Sequence, residues 1–240
     1  NDIKYVIQEN KLLNINIKKN KTLDQLISER YQDLVTYHNK AYAEKFYKII
    51  NSVKLKDKNF KNNDMLSKAA VKSLYRIMAY KDEFEVARLY TDGRFEKSLN
   101  DTFNGKYKMS IMLSPPILNL IDKKTKKPKK IVFSKKIFFL FKLLKKFKFL
   151  RNTILNPFGY SLERRKEKKL IKKFEECISI VFKEISEQNY RDCVNIITLF
   201  DEVRGYGHIK MRNFKYFEDR VEKNLKKLSN KTKNKKLVAE

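Results

Sequence analysis

Five glycines and four prolines in 240 residues leave this backbone few places to turn sharply. All-β folds need such residues at every hairpin. Long uninterrupted elements are therefore expected, and the periodic lysine and glutamate favour helices. With 42% hydrophobic residues, the chain can build one large core or two small ones.

Residues 1–21 alternate apolar and polar over short runs and read as a strand or linker from a preceding domain. Thr22 and Gln25 match a capping box, in which hydroxyl and amide each satisfy a free backbone N–H. From Leu23 to about Val53, apolar residues recur at three and four: Leu26, Ile27, Tyr31, Leu34, Val35, His38, Tyr42, Phe46 and Ile49. One long helix is predicted there, with His38 packed on its stripe rather than binding a ligand. A polar loop over 56–64 ends at Asn63 or Asp64, either able to cap a helix through Leu66, Val71, Leu74, Tyr75 and Met78. Tyr80, Phe84, Ala87 and Tyr90 continue a helical face until Gly93.

The pattern then changes. Tyr107, Met109, Ile111 and Leu113 alternate with Lys108, Ser110 and Met112, after an Asn-Gly turn signal and before Pro115-Pro116. The run "IVFS" beyond the lysines is the candidate partner strand. The fold class is thus mainly α (α+β), a long-helix domain with a small two-stranded insert around residues 106–134. Residues 22–228 read as one mostly helical domain, and 229–240 as a basic disordered tail.

From Ile121 to Arg151 there are thirteen Lys or Arg and one acid, Asp122. The stretch "KKIFFLFKLLKKFKFLR" (135–151) is too short and charged to span a bilayer. It fits either a membrane-surface helix or a core helix with snorkelling lysine stems, and the core helix is preferred. In "NPFGYS" (156–161), Ser161 is a candidate N-cap with Glu163 in the first turn. That helix is expected to reach about Ile185, followed by one from Tyr190 to Val203 and a last one to about Leu228. Between these two lies "VRGYGHIK" (203–210). Gly205 can end a helix left-handed, and Gly207 can permit close approach. His208 then stands at a helix start, which favours a neutral, hydrogen-bonding imidazole over a charged one.

The formal net charge of +28 would suit nucleic acid, anionic lipid or an acidic protein. The excess is nearly all lysine, however, and arginine is the better bidentate reader of phosphate and guanine. Compositional drift accounts for much of it. Cys177 and Cys193 are isolated, so neither a zinc site nor a disulfide framework is indicated, and a reducing cytoplasm is the default. No dinucleotide fingerprint, phosphate loop, nucleophile elbow or HExxH occurs. The residues alone indicate no catalytic, cofactor or metal site. The chain starts at Asn1 without a secretory signal and reads as a piece of a longer protein.

Four motifs, taken together, carry a resemblance: "MAYKDEFEVARLYTD" (78–92), "LSPP" (113–116), "NPFGYSLERR" (156–165) and "VRGYGHIK" (203–210). Their order and spacing, with the helix from residue 22, resemble the C-terminal domain of the large fused indolepyruvate ferredoxin oxidoreductases. The resemblance covers about residues 22 to 215. It implies a parent enzyme that oxidatively decarboxylates aryl-pyruvates with thiamine diphosphate, iron–sulfur clusters, coenzyme A and ferredoxin. Those cofactors would belong to an upstream part, and this segment would be an accessory domain holding none. The implied partners are the upstream catalytic domains of the same chain, ferredoxin, and further copies of the parent. A stand-alone basic module for nucleic acid or an anionic membrane surface is the second reading. Candidate interdomain or anion contacts are Lys81, Asp82, Glu83 and Arg88 in the first motif, Tyr160, Arg164 and Arg165 in the third, and Arg204 and His208 in the fourth. Arg164 and Arg165 oppose the dipole of the helix they open, which makes an acidic partner reasonable there.

Overall fold

The computed structural model describes residues 21–61, 64–103, 105, 108–113, 129–205 and 207–238, with side chains to residue 230 except that of His208. The strand or linker expected over 1–21 lies outside the described residues, Lys21 apart, as do Asn104, Pro115 and Pro116. The chain is mostly helical with a small antiparallel sheet. The described residues divide into two compact units, one within 22–80 and 159–238 and the other within 81–158. The segment read as one domain contains both.

The first unit holds α1 (Leu23–Tyr37), α2 (Lys40–Asp57), α3 (Met65–Met78), α7 (Leu162–Glu184), α8 (Tyr190–Thr198) and α9 (Gly207–Val238), with a 3-10 turn at Leu199–Glu202. The capping box at Thr22 forms as expected, Gln25 N–H to Thr22 Oγ1 at 3.2 Å and Thr22 N–H to Gln25 Oε1 at 3.0 Å. The long helix predicted over 23–53 is two helices. Asn39 breaks it, because its side-chain oxygen accepts from Tyr42 N–H at 2.9 Å and starts α2 afresh. His38 is buried at the joint, edge-on to Tyr42 at 5.3 Å.

Helix α3 is the hub of this unit, touching α1, α2, α7, α8 and the 3-10 turn. Leu66, Ala70, Val71, Leu74, Ile77 and Met78 are all buried, and buried Ser67 and Ser73 keep the neighbours close. Asp64 occupies its N-cap at φ +57° without a side-chain capping bond. The first turn is satisfied from afar: Leu66 N–H donates to Tyr190 Oη at 2.9 Å and Ser67 N–H to Asp57 Oδ2 at 2.8 Å. Ser161 caps α7 as predicted, accepting from Arg164 N–H at 3.2 Å. Helix α9 continues to Val238, through the segment expected to be a disordered tail, since no glycine or proline after Gly207 stops it.

The second unit holds α4 (Glu83–Thr91), α5 (Arg94–Thr102), β1 (Ser110–Leu113), β2 (Ile131–Ser134), α6 (Ile137–Leu144) and a 3-10 turn at Lys145–Leu150. Asp82 caps α4, accepting from Glu85 N–H at 2.8 Å. Gly93, at φ +89°, turns the chain into α5. The strands pair antiparallel, Ser110 opposite Ser134 and Leu113 opposite Ile131, as the alternation predicted. A small core of Ala87, Ile111 and Phe141 is extended by Tyr90, Leu113, Ile137, Phe138 and Leu144. The expectation of a core helix over 135–151 is corrected here. The helix spans only Ile137–Leu144 and is core on one side: Phe141 is buried, with Ile137, Phe138 and Leu144 packed beside it. Phe139, Leu140 and Leu143 are exposed, because the small unit offers apolar partners to one face.

Candidate functional site

Three of the four motifs meet in the first unit. Helix α7 opens with Glu163, Arg164 and, one turn on, Glu167; α9 opens with Gly207 and then Lys210. Glu167 is almost fully buried, accepting from Arg164 Nη1 at 2.7 Å and paired with Lys210. Lys210 also stands 3.9 Å from Glu163. The Arg164 guanidinium lies 5.5 Å above the ring of Tyr80, a cation–π geometry. Burial pushes the Glu163 carboxyl up, and neighbouring Glu167 adds to this. Lys210, Arg164 and the Gly207 backbone N–H pull the other way without cancelling it. Two carboxylates facing two cations make a neutral junction that ties the start of α7 to the start of α9.

The turn feeding α9 depends on Gly205. At φ +100° a side chain is disfavoured, and a Cβ there would stand 2.9 Å from Ile209 Cγ2. Close approach was expected at Gly207; its Cβ position is open, and the contact falls at Gly205 instead.

A second cluster centres on buried Asp201. Lys72 Nζ lies 3.0 Å from its carboxylate, Arg204 Nη2 2.6 Å, and Arg76 completes the set. Burial raises this carboxyl, and the Lys72 hydrogen bond, Arg76 and Arg204 outweigh that, holding it below the usual carboxylate range. Three partly exposed cations surround one acid, so the cluster carries surplus positive charge at the surface.

The second unit has its own polar centre. Asp82 and Arg151, with side chains 2% and 1% exposed, pair through two bonds, Nε to Oδ2 at 2.5 Å and Nη2 to Oδ1 at 2.8 Å. Arg151 also lies 5.7 Å from the Phe84 ring, and its carbonyl accepts from Asn156 Nδ2 at 2.9 Å. On α4, Arg88 grips Glu85 with two bonds of 2.7 and 2.8 Å and reaches Asp92 at 3.3 Å. Half-buried Lys148 is held below the ordinary lysine value, by burial first and then by the Arg151 and Arg88 charges.

The nine candidate residues thus separate. Asp82 and Arg88 are engaged inside the second unit, while Lys81 and Glu83 are half-buried beside Asp82. Arg164 belongs to the junction, and Arg204 to the Asp201 cluster. Tyr160 and Arg165 are exposed, joined by Arg165 Nε to the Tyr160 carbonyl at 3.2 Å. The His208 side chain lies outside the described residues. Sequence reasoning passed over Glu167, Asp201, Lys210 and Arg151. Two signals could have found some of them: the Glu163–Glu167 spacing of four on one helix face, and a lone arginine closing a run of lysines, where bidentate pairing is the reason to prefer it.

A groove of about 390 Å³ between α1 and α2 contains the Tyr31–Glu44 hydrogen bond at 2.6 Å and the Lys54–Asp24 pair. Burial pushes the thiols of Cys177 and Cys193 up to about 11 and about 12, which keeps them protonated and poor nucleophiles. Among the described residues no group of three His, Cys, Asp or Glu is arranged to hold a metal ion. Among them too, no helix is long and apolar enough to cross a membrane.

The model of DUF6537, a family of unknown function, matches residues 23–223. No curated protein and no solved structure matches the chain.

Proposed function

We propose that the chain, which belongs to the DUF6537 family of unknown function, is a C-terminal accessory domain of an indolepyruvate ferredoxin oxidoreductase. The parent would oxidatively decarboxylate aryl-pyruvates in the cytoplasm. Its upstream domains would bind thiamine diphosphate and iron–sulfur clusters, coenzyme A would take the acyl group, and ferredoxin the electrons. This domain would pack on the catalytic part and help hold subunits together.

One observation carries the reading. Residues of three motifs that bear the resemblance, Tyr80, Arg164 and Lys210, lie in a single junction of internally paired charges. Such a junction fixes helix starts. The motif string then marks architecture, as an accessory domain requires. Tyr160 and Arg165 and the surplus cations Lys72, Arg76 and Arg204 are exposed and would meet neighbours. Because ferredoxins are generally acidic, such a basic surface would also speed ferredoxin encounter at low salt.

The test is removal of residues 22–228 from the parent. The truncated enzyme is expected to keep bound thiamine diphosphate and its cluster absorbance while its assembled mass falls, as read by light scattering. Unchanged assembly would refute the packing role.

A further inference from the structure

Helix α6 is apolar apart from Lys142, and among the described residues only one of its sides is covered. Ile137, Phe138, Phe141 and Leu144 turn inward to Ala87, Tyr90, Ile111 and Leu113. On the other side Phe139, Leu140 and Leu143 are 78%, 52% and 47% exposed. At 3.6 residues per turn these three fall within a sector of roughly 100°. Phe147, Phe149, Ile154 and Leu155 follow and are exposed as well, Ile154 at 84%. A helix apolar all round normally has both faces covered. An exposed apolar surface this concentrated marks an interaction site.

Its charge identifies the occupant. From Lys129 to Leu155 there are eight lysines, one arginine and no acid. The arginine is Arg151, buried against Asp82, so the exposed charge is all lysine. Compositional drift does not explain the missing acids. The whole chain carries 28 acids to 56 bases, a ratio that would set four or five acids beside these nine bases.

A second copy of the chain fits poorly, because a two-fold contact would set lysines against lysines. Protein interfaces are enriched in aromatics and arginine and depleted in lysine; the patch shares the aromatics, but all of its exposed charge is lysine. Single-stranded nucleic acid would stack on the phenylalanines, yet it has no use for Leu140, Leu143, Ile154 and Leu155. An anionic bilayer surface suits both parts: apolar side chains enter the acyl boundary, and lysine stems reach the phosphates. We propose that residues 137–155 are an interfacial element that holds the protein on anionic lipid without spanning it. This rests on the patch alone and is independent of the parent enzyme's chemistry.

The chain has no tryptophan, so Phe149→Trp installs a sole indole reporter. The 240-residue chain would be floated with vesicles of phosphatidylcholine, with and without phosphatidylglycerol. Flotation is expected only with phosphatidylglycerol, together with a blue shift of the F149W emission and quenching by brominated acyl chains. The double variant Phe139→Ser/Leu143→Ser should keep the circular dichroism of the parent chain and lose at least ~10-fold in partitioning. Absence of flotation at low salt would overturn the proposal. So would binding that leaves the indole in water or the double variant unimpaired, or tighter binding to polyuridylate than to the vesicles.

Discussion

Replacing Arg151 with methionine is expected to cost ~3–5 kcal/mol of stability, the range for stranding one member of a buried ion pair. Asp82 would keep its capping bond to Glu85 N–H and lose both guanidinium bonds in a site 2% open to water. Arg151→Met/Asp82→Asn removes both charges and is expected to recover most of the loss, because a neutral amide can still cap α4. Urea titration measures the stability. Hydrogen exchange locates it, with protection lost first over 83–102 and 137–150. If R151M is no less stable than the double variant, the pair is not what organises this unit.

The second large effect is expected at Asp57. Its buried carboxylate accepts from Ser67 N–H at 2.8 Å, Ser67 Oγ at 2.7 Å and Tyr190 Oη at 2.7 Å. Tyr190 in turn accepts from Leu66 N–H, so the end of α2, the start of α3 and the start of α8 share one knot. Burial, with the hydrogen bond to Asp57 next, holds the Tyr190 phenol above its ordinary value and keeps it a donor. Asp57→Ala strands three donors and is expected to cost ~3–5 kcal/mol, since bonds to a charged acceptor contribute about 1.5–3 kcal/mol each and part is regained from water. Tyr190→Phe, which strands fewer groups, should cost about 1–2 kcal/mol. Equal losses in the two variants, read from denaturation midpoints at constant slope, would contradict the shared knot.

Much of the fold was legible in the sequence because it is local. The Thr22 capping box, the Ser161 cap, the strand alternation around Ile111 and the break at Gly93 rest on residues a few positions apart. The misses have a common cause. Asn39 ends a helix whose apolar stripe runs through it undisturbed, so periodicity alone overrides the cap. Helix α6 looks like core by composition, and only the size of the second unit decides that one of its faces stays exposed. The start of α3 is capped by Tyr190, over a hundred residues away, which no local pattern announces. The site followed the same rule. Arg164 and Arg204 were visible as charged residues in marked motifs, whereas their acceptors Glu167 and Asp201 were helix residues of ordinary appearance until the fold buried them.

The chain is proposed to serve an aryl-pyruvate oxidoreductase without supplying its reacting groups. The most direct measurement is ferredoxin reduction by the whole protein that carries the chain, given indolepyruvate, thiamine diphosphate and coenzyme A, alongside the 240-residue chain alone. Turnover by the whole protein and none by the chain alone is the predicted result. A whole protein that binds thiamine diphosphate and iron–sulfur clusters yet reduces no ferredoxin with any aryl-pyruvate, or one that binds neither cofactor, would contradict it.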